Sequence, residues 1–263
     1  MTVSNVTIGA DPELFIINER TNKVVSSIGL IPGEKGDPWT DESMPQGFGL
    51  ETDNILAEFN IPPVQTKSAF INNINYMKNY INSFVKNINP DLGILCSASQ
   101  EVDPDQLKSK EAKEFGCSVD YNVYTQKANP KPKGTTTNLR SAGMHIHCGY
   151  ENPNIDTSLA IVKYMDAYLG VPSVIKDPDI KRRSLYGKAG CFRLTDYGVE
   201  YRCLSSYMMS NNDLLAFVWK QIEKAITAIN HRYPLPRKID IQKAINHSNS
   251  EIAERLIQEY NLI

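Results

Sequence analysis

Acidic, histidine and arginine side chains recur at every second position in four segments of the chain. The pairs are Asp11 with Glu13, Glu58 with Asn60, His145 with His147, and Glu200 with Arg202. Side chains two apart in a β-strand point to the same face of the sheet. Each segment is therefore predicted to be a strand with one chemically active face, although Pro12 requires an edge position or a bulge.

The intervening residues of three of these segments are apolar. They are Ala57, Phe59 and Ile61 in one segment, Met144 and Ile146 in another, and Tyr201 and Cys203 in the third. These patterns predict a sheet with one apolar face and one acidic face. Carboxylates that share one face repel one another unless cations lie among them, and oxygen-rich sites favour Mg²⁺ or Mn²⁺.

An arginine-bearing and glycine-bearing stretch precedes the last pair and contains Arg182, Arg183 and Arg193. Guanidinium groups are planar forks that suit phosphate or carboxylate. Acids, a divalent cation and arginines together are the components of phosphoryl-transfer sites. Each segment alone is more simply a solvated face or a local ion pair, but their concurrence on one predicted sheet favours a site.

The elements that must position these residues alternate between strands and long helices. A hairpin is predicted at 13–18 and 23–28, a loop at 29–49, and further strands at 54–61, 92–99, 143–150 and 198–205. The clearest helix, 65–89, has an apolar stripe at Phe70, Ile74, Met77, Ile81, Phe84 and Ile88. Other helices are predicted at 156–169, 213–231, 239–246 and 251–260. Since regular βαβ units are absent from this pattern, an α+β fold around an antiparallel sheet is expected.

Composition excludes several classes of protein. The chain has 263 residues, 41% of them hydrophobic, and 28 basic against 30 acidic residues, so neither disorder nor wrapping of duplex nucleic acid is expected. No signal peptide or membrane-spanning stretch is visible. The five cysteines are scattered and form no CxxC pair, which predicts a reducing cytoplasm rather than a disulfide framework.

The motifs resemble the phage phiEco32-like COOH–NH2 ligase type 2 family, within the superfamily of glutamine synthetase and glutamate–cysteine ligase. The matching pieces are 9–15, 49–60, 142–147, 183–193 and 197–202, in the order of the family. The resemblance implies a single catalytic domain over 1–263, built as a curved antiparallel funnel with helices outside. A polar insertion at about 101–134 would be a lid, and 211–263 would be a helical C-terminal part.

The resemblance also implies roles for individual residues. Metal ligands would be Asp11, Glu13, Glu51, Glu58, His145 and Glu200. Contacts to ATP would come from His145, His147, Arg183, Arg193 and Arg202, and the catalytic groups would be Arg193, Arg202 and Glu51. The implied reaction uses ATP with Mg²⁺ or Mn²⁺ to convert a small-molecule or peptide carboxylate into an acyl phosphate, which an amine then captures. The protein would work in the cytoplasm of an infected host cell, with no membrane or duplex nucleic acid as partner.

Two alternatives remain open at this point. The His-x-His segment with nearby carboxylates is also typical of a metal-dependent hydrolase, which would act without ATP. A nucleotide-binding or virion-associated module without turnover is the other alternative, although such a module has no reason to retain several mutually repelling acids.

Overall fold

A computed structural model describes residues 2–113, 120–130 and 137–263 of the chain. Most of the strands in these residues form one large sheet, and two of them form a small separate sheet. The strands are Thr7–Asn18 (β1), Lys23–Val25 (β2), Gly49–Asp53 (β3), Leu56–Val64 (β4), Leu92–Leu95 (β5), Ser99–Glu101 (β6), Tyr121–Asn122 (β7), Lys127–Ala128 (β8), Leu139–Ser141 (β9), Met144–Gly149 (β10), Cys191–Thr195 (β11) and Gly198–Tyr201 (β12).

The large sheet has the strand order β3-β4-β1-β10-β12-β11-β7-β8, and β2 and β5 pair with the second half of β1. Strands β6 and β9 pair separately. Every pairing between these named strands is antiparallel. The predicted α+β fold around an antiparallel sheet is therefore confirmed.

Helices cover the apolar face of the sheet. They are Lys67–Ile88 (α1), Lys110–Lys113 (α2), Ile155–Met165 (α3), Val171–Lys176 (α4), Arg182–Leu185 (α5), Asn212–His231 (α6), Lys238–Asn246 (α7) and Ser250–Tyr260 (α8). On β10, Met144, Ile146 and Cys148 have no exposed surface and belong to the main core with residues of α1, α3 and α6. None of the helices in the described residues is long and apolar enough to span a membrane.

The buried face of α1 follows the predicted apolar stripe except near the C-terminal end of the helix. Thr66 caps it by accepting a hydrogen bond from the Ala69 backbone N–H (3.3 Å). The buried positions end with Val85, whereas Ile88 is 51% exposed. A straight helix advances 3.6 residues per turn, so the buried face moves away from a strict 4-3-4 spacing after several turns.

Several strand predictions differ from the structure. β3 and β11 were not predicted. β3 carries residues with weak strand preference, such as Gly49, Glu51 and Asp53. β11 contains the strand formers Phe192 and Thr195 but is short and directly follows the glycine-bearing arginine stretch. β4 continues through Pro62 and Pro63 instead of ending there.

Pro12 lies inside β1, which is an interior strand rather than an edge. The Glu13 N–H donates to the Gly143 carbonyl on the β10 side. Since backbone groups alternate sides along a strand, the missing N–H of Pro12 faces β4. The β1–β4 pairing has its register shift close by, between Ile8 and Ala10.

A buried acid connects the sheet to the helices. Asp166, in the π-helical turn Asp166–Gly170, has no exposed surface. It accepts hydrogen bonds from the hydroxyl groups of Tyr124 (2.8 Å) and Tyr201 (2.9 Å). Burial raises the pKa of Asp166 to about 7, although the two tyrosines act in the opposite direction. The link holds the β7–β8 hairpin and β12 against the helical layer.

The raised pKa predicts how stability depends on pH. The folded state holds the Asp166 proton more tightly than the unfolded state, so this stabilisation is complete below about pH 4 and is lost as the pH rises through about 7. Relative to Asp166→Asn, the parent should lose up to about 4 kcal/mol of unfolding free energy between pH 4 and 8. Urea denaturation across this range measures the difference. Asp156→Asn, at an exposed position of α3, is the control, and an equal slope for both variants would refute the assignment.

Candidate active site

A continuous row of charged residues crosses the polar face of the sheet. The strand register sets its members directly opposite one another: Glu51 with Glu58, Glu58 with Glu13, Asp11 with His145, His147 with Glu200, and Glu200 with Arg193. Directly opposed residues on adjacent strands have Cβ atoms about 4.5–5.5 Å apart. Four of the segments singled out in the sequence therefore meet at one place, and β3 and β11 contribute the two ends of the row.

Within the described residues, the row contains three overlapping sets of potential metal ligands. They are Asp11, Glu58 and His145; Asp11, His147 and Glu200; and Glu13, Asp53 and Glu58. In each set the potential ligand atoms all lie within 4.8 Å of one another. Asp11 and Glu58 each belong to two sets, so neighbouring cations would share a carboxylate.

The shared acid Asp11 faces both histidines. Its Oδ1 atom lies 3.4 Å from His145 Nδ1 and 3.1 Å from His147 Nε2. All three atoms are buried without a well-aligned hydrogen bond. Polar atoms that converge in this way without satisfying one another are suited to a bound cation. The residues present thus fit a divalent metal.

Tyr197 orients one of these histidines. Its hydroxyl group hydrogen-bonds to Nδ1 of His147 and leaves Nε2 directed at Asp11. A partner on the second ring nitrogen is the usual way in which a protein fixes the orientation of a metal-binding histidine. Tyr197 was not among the predicted residues, because its role depends on a turn that the sequence pattern does not reveal.

The carboxylates on this face disturb one another electrostatically. Burial raises the pKa of Glu58 well above its ordinary value, and the nearby Asp11, Glu13, Asp53 and Glu51 raise it further. Burial would also raise the pKa of Asp11, but His145 and His147 outweigh it and hold that pKa well below its ordinary value. Glu13, Glu51 and Glu58 therefore need positive charge nearby, while Asp11 already has it from the two histidines.

The loop before β3 supplies part of that charge. Lys35 Nζ lies 2.5 Å from Oδ2 of Asp53, and the Gly36 N–H donates to Glu51 Oε2 (2.9 Å). Glu51, a predicted metal ligand and catalytic group, is outside all three ligand sets. Asp53 occurs in one of them instead. It was missed because it follows Glu51 by two positions in a strand that the sequence did not predict.

Two arginines flank Glu200, which is 1% exposed. Arg202 forms an ion pair with its Oε1 atom, and Arg193 Nη1 lies 3.2 Å from Oε2. Both arginines were predicted at the site and both are there. Glu200 consequently connects the histidines of β10 to a positively charged region at β11 and β12.

The structure does not bring Arg183, a predicted ATP contact, to the site. Its guanidinium group donates to Ser248 Oγ (3.0 Å) and Ser173 Oγ (3.3 Å), among the helices. Neighbouring Arg182 faces the row instead. On the short helix α5, adjacent side chains point in different directions, and the sequence could not specify which arginine faces the sheet.

A cavity lies on each side of the histidines. The larger one, about 370 Å³, is lined mainly by apolar surface and borders Gly9, Asp11, His147 and Tyr197. The smaller one, about 40 Å³, borders Glu13, Asp53, His145, Arg182 and Arg202. The row thus separates two spaces of different size and polarity.

The predicted lid at 101–134 is only partly described, since 114–119 and 131–134 lie outside the described residues. Within the described part, Asp120 borders the smaller cavity. Tyr124 is directed at Asp166 in the core and not at the row.

Residues 134–259 match the family model described as Phage phiEco32-like COOH.NH2 ligase-type 2. The match supports the family suggested by the motifs, and its description is that of a ligase joining a carboxylate to an amine. The matched residues include both histidines, Glu200 and the arginines, whereas the acids of β1, β3 and β4 precede them. A search of curated proteins found no match.

The acid cluster predicts an unusual effect of Glu58→Gln. With a chelator present, this variant should unfold at the same temperature as the parent or roughly 2 to 4 °C higher, because it removes a repelled, buried charge. Added Mg²⁺ or Mn²⁺ should raise the unfolding temperature of the parent more than that of the variant. Differential scanning fluorimetry with and without metal measures both effects.

Glu254→Gln, at an exposed position of α8, is the matched control and should respond to metal as the parent does. A parent that gains nothing from either metal would contradict the cation site. A Glu58→Gln variant that is strongly destabilised in chelator would contradict the repulsion.

Proposed function

We propose that this member of the phiEco32-like COOH–NH2 ligase family is an ATP-dependent ligase that activates a carboxylate as an acyl phosphate and transfers it to an amine. The observation that carries the proposal is the row of overlapping ligand sets with Arg193 and Arg202 at one end. Phosphoryl transfer requires divalent cations and arginines close together to offset charge on the transferred group. In this proposal the antiparallel sheet is the wall of a glutamine synthetase-like funnel.

Each part of the row has a task in this proposal. Glu13, Asp53 and Glu58 would hold one cation, and Asp11 with the histidines and Glu200 would hold others. Bound Mg²⁺ or Mn²⁺ would supply neutralisation of phosphate charge. Arg193 and Arg202, held by Glu200, present guanidinium groups that bind anionic oxygens and stabilise charge as it develops.

The larger cavity is the one we assign to the nucleotide. Its lining is mostly apolar, which suits a base and a ribose, and it borders the Asp11–His147 side of the row. Gly9 and Gly149 are among its lining residues.

The origin and setting of the protein are also part of the proposal. We place it in the cytoplasm of a phage-infected cell, on the basis of the family description and the scattered cysteines. Its carboxylate belongs to a small molecule or a peptide, and the second substrate is an amine.

A metal-dependent hydrolase is the second candidate, and one observation favours it. Asp11 contacts both His145 and His147, and two histidines with one carboxylate are residue types that also bind hydrolytic or oxidative metals. Such an enzyme would act without ATP. The arginines on Glu200 are unexplained by hydrolysis, whereas phosphoryl transfer uses them.

The ligase proposal predicts ATP-dependent hydroxamate formation. Hydroxylamine captures acyl phosphates from any acid, so the native amine need not be known. With Mg²⁺, ATP and a panel of carboxylic acids, the parent should release ADP and form a hydroxamate. Glu58→Gln and Glu200→Gln should lose at least about a hundredfold in rate, because each removes charge stabilisation of the transition state.

Glu254→Gln is the control for these assays and should keep the parent rate. Variants that released ADP at the parent rate would refute the metal assignment. Turnover of an ester or amide by a metal-loaded, ATP-free sample, together with absent hydroxamate, would favour the hydrolase.

A further inference from the structure

The smaller cavity has features that the metal sites do not require. It borders Glu13 and Asp53 of one ligand set, and its remaining lining includes Arg182, Arg202 and the apolar Leu56. Its volume of about 40 Å³ accommodates roughly three water molecules. A carboxylate group, with its three non-hydrogen atoms, is a group of about this size.

Arg182 is a cation on this wall whose hydrogen bonds are incomplete among the described residues. It is 3% exposed, and Nη1 donates to the Cys203 carbonyl (2.9 Å). Nε is buried without a hydrogen-bond partner among the described residues. A buried guanidinium group with free donors is costly unless an anion completes its contacts.

Two glycines leave room for the guanidinium group of Arg182. Gly187 has φ +72°, and a Cβ atom there would lie 1.7 Å from Nη1 of Arg182. A Cβ atom on Gly143 would lie 3.3 Å from Nη2 and 2.8 Å from His145 Nε2. The backbone therefore leaves a narrow slot in which Arg182 reaches the polar face of the sheet.

The other two arginines and two of the acids around the cavity already have partners. Arg140 donates to three backbone carbonyl groups. Arg202 forms its ion pair with Glu200 and is the arginine already assigned to the phosphate group, and Asp53 lies against Lys35. Glu13 accepts a hydrogen bond from the Gly143 N–H (2.5 Å). Arg182 is thus the cation on this wall that is best placed to bind an incoming anion in a planar, two-point contact.

We propose that this cavity binds the carboxylate that is to be activated, that Arg182 determines its selection, and that the substrate is unbranched next to its carboxylate. The inference rests on the proposed ligase function and adds the class of acid that the enzyme accepts. The carboxylate would lie next to the Glu13–Asp53–Glu58 ligand set. The small space beside Arg182 favours an acid with an unbranched carbon at this position over one with a quaternary carbon.

Binding can be tested without turnover. Saturation-transfer NMR with Mg²⁺ and no ATP measures propionate, pivalate and inorganic phosphate on the parent, Arg182→Lys and Arg182→Met. Propionate should bind the parent and pivalate should not. Its dissociation constant should rise at least about tenfold in Arg182→Met, since a charged hydrogen-bonding partner is lost.

Arg183→Met is the matched control, because Arg183 is the next residue of α5 and is equally buried (4%). It removes the same side chain from the helix-facing side, so it should bind propionate as the parent does. Circular dichroism establishes that each variant is folded. If Arg182→Met does not fold, Arg182→Lys and the comparison of propionate with pivalate on the parent still decide the question.

Turnover separates this inference from the ligase proposal. In the hydroxamate assay, Arg182→Lys should raise KM for the acid at least about tenfold and leave KM for ATP within twofold. Hydroxamate formation with an unchanged acid KM would overturn the role of Arg182 and leave the ligase intact. Arg182-dependent propionate binding without any ADP release would refute the ligase and retain the cavity. Equal binding of pivalate, or Arg182-dependent binding of phosphate in place of propionate, would overturn the proposed ligand.

Discussion

Repulsion among carboxylates on one face of a sheet is the constraint on which the site depends. Glu51, Glu58 and Glu13 are directly opposite one another on three adjacent strands, and Asp53 joins them. Like charges at this spacing destabilise a sheet. The arrangement persists only if positive charge is supplied, either by the protein or by a bound ion.

The chain supplies positive charge unevenly along the row. Asp11 lies between two histidines, and Glu200 lies between two arginines. At the β3–β4 end, Lys35 contacts Asp53, while Glu58 has carboxylates as its electrostatic neighbours and a raised pKa. The need for an external cation is therefore greatest around Glu58. This gradient explains why one ligand set contains acids alone and the other two contain a histidine.

Apolar packing on the opposite face of the sheet provides the stability that offsets the repulsion among these carboxylates. The residues that alternate with the site residues, such as Ala57, Ile146 and Tyr201, are fully buried. Burial of apolar side chains contributes about 25 cal/mol per Å² to the free energy of folding. Because successive side chains of a strand point to opposite faces, the stabilising residues and the site residues lie on different faces of the same strands. Asp166 and its two tyrosines connect the buried helical layer to the site, because Tyr201, which donates to Asp166, directly follows Glu200 in β12.

Alternation is also what made much of the site predictable. Residues two apart on a strand share a face whatever the tertiary fold, so Asp11, Glu13, Glu58, His145 and Glu200 were identified from spacing and resemblance together. The antiparallel sheet and the long helices followed from periodicity. Which strands are neighbours is not encoded locally. Asp53 was therefore found only in three dimensions, as was the pairing of Glu51 with Glu58 and of Arg193 with Glu200.

Side-chain direction in short or irregular segments was the other limit of prediction. Arg182 and Arg183 are chemically identical neighbours, and the helix that carries them has four residues. One faces the helices and the other enters a slot between Gly143 and Gly187, which is set by a backbone at positive φ. The glycine at 187 thus decides which arginine can meet a ligand, and the selectivity of the cavity depends on a backbone conformation as much as on a charge.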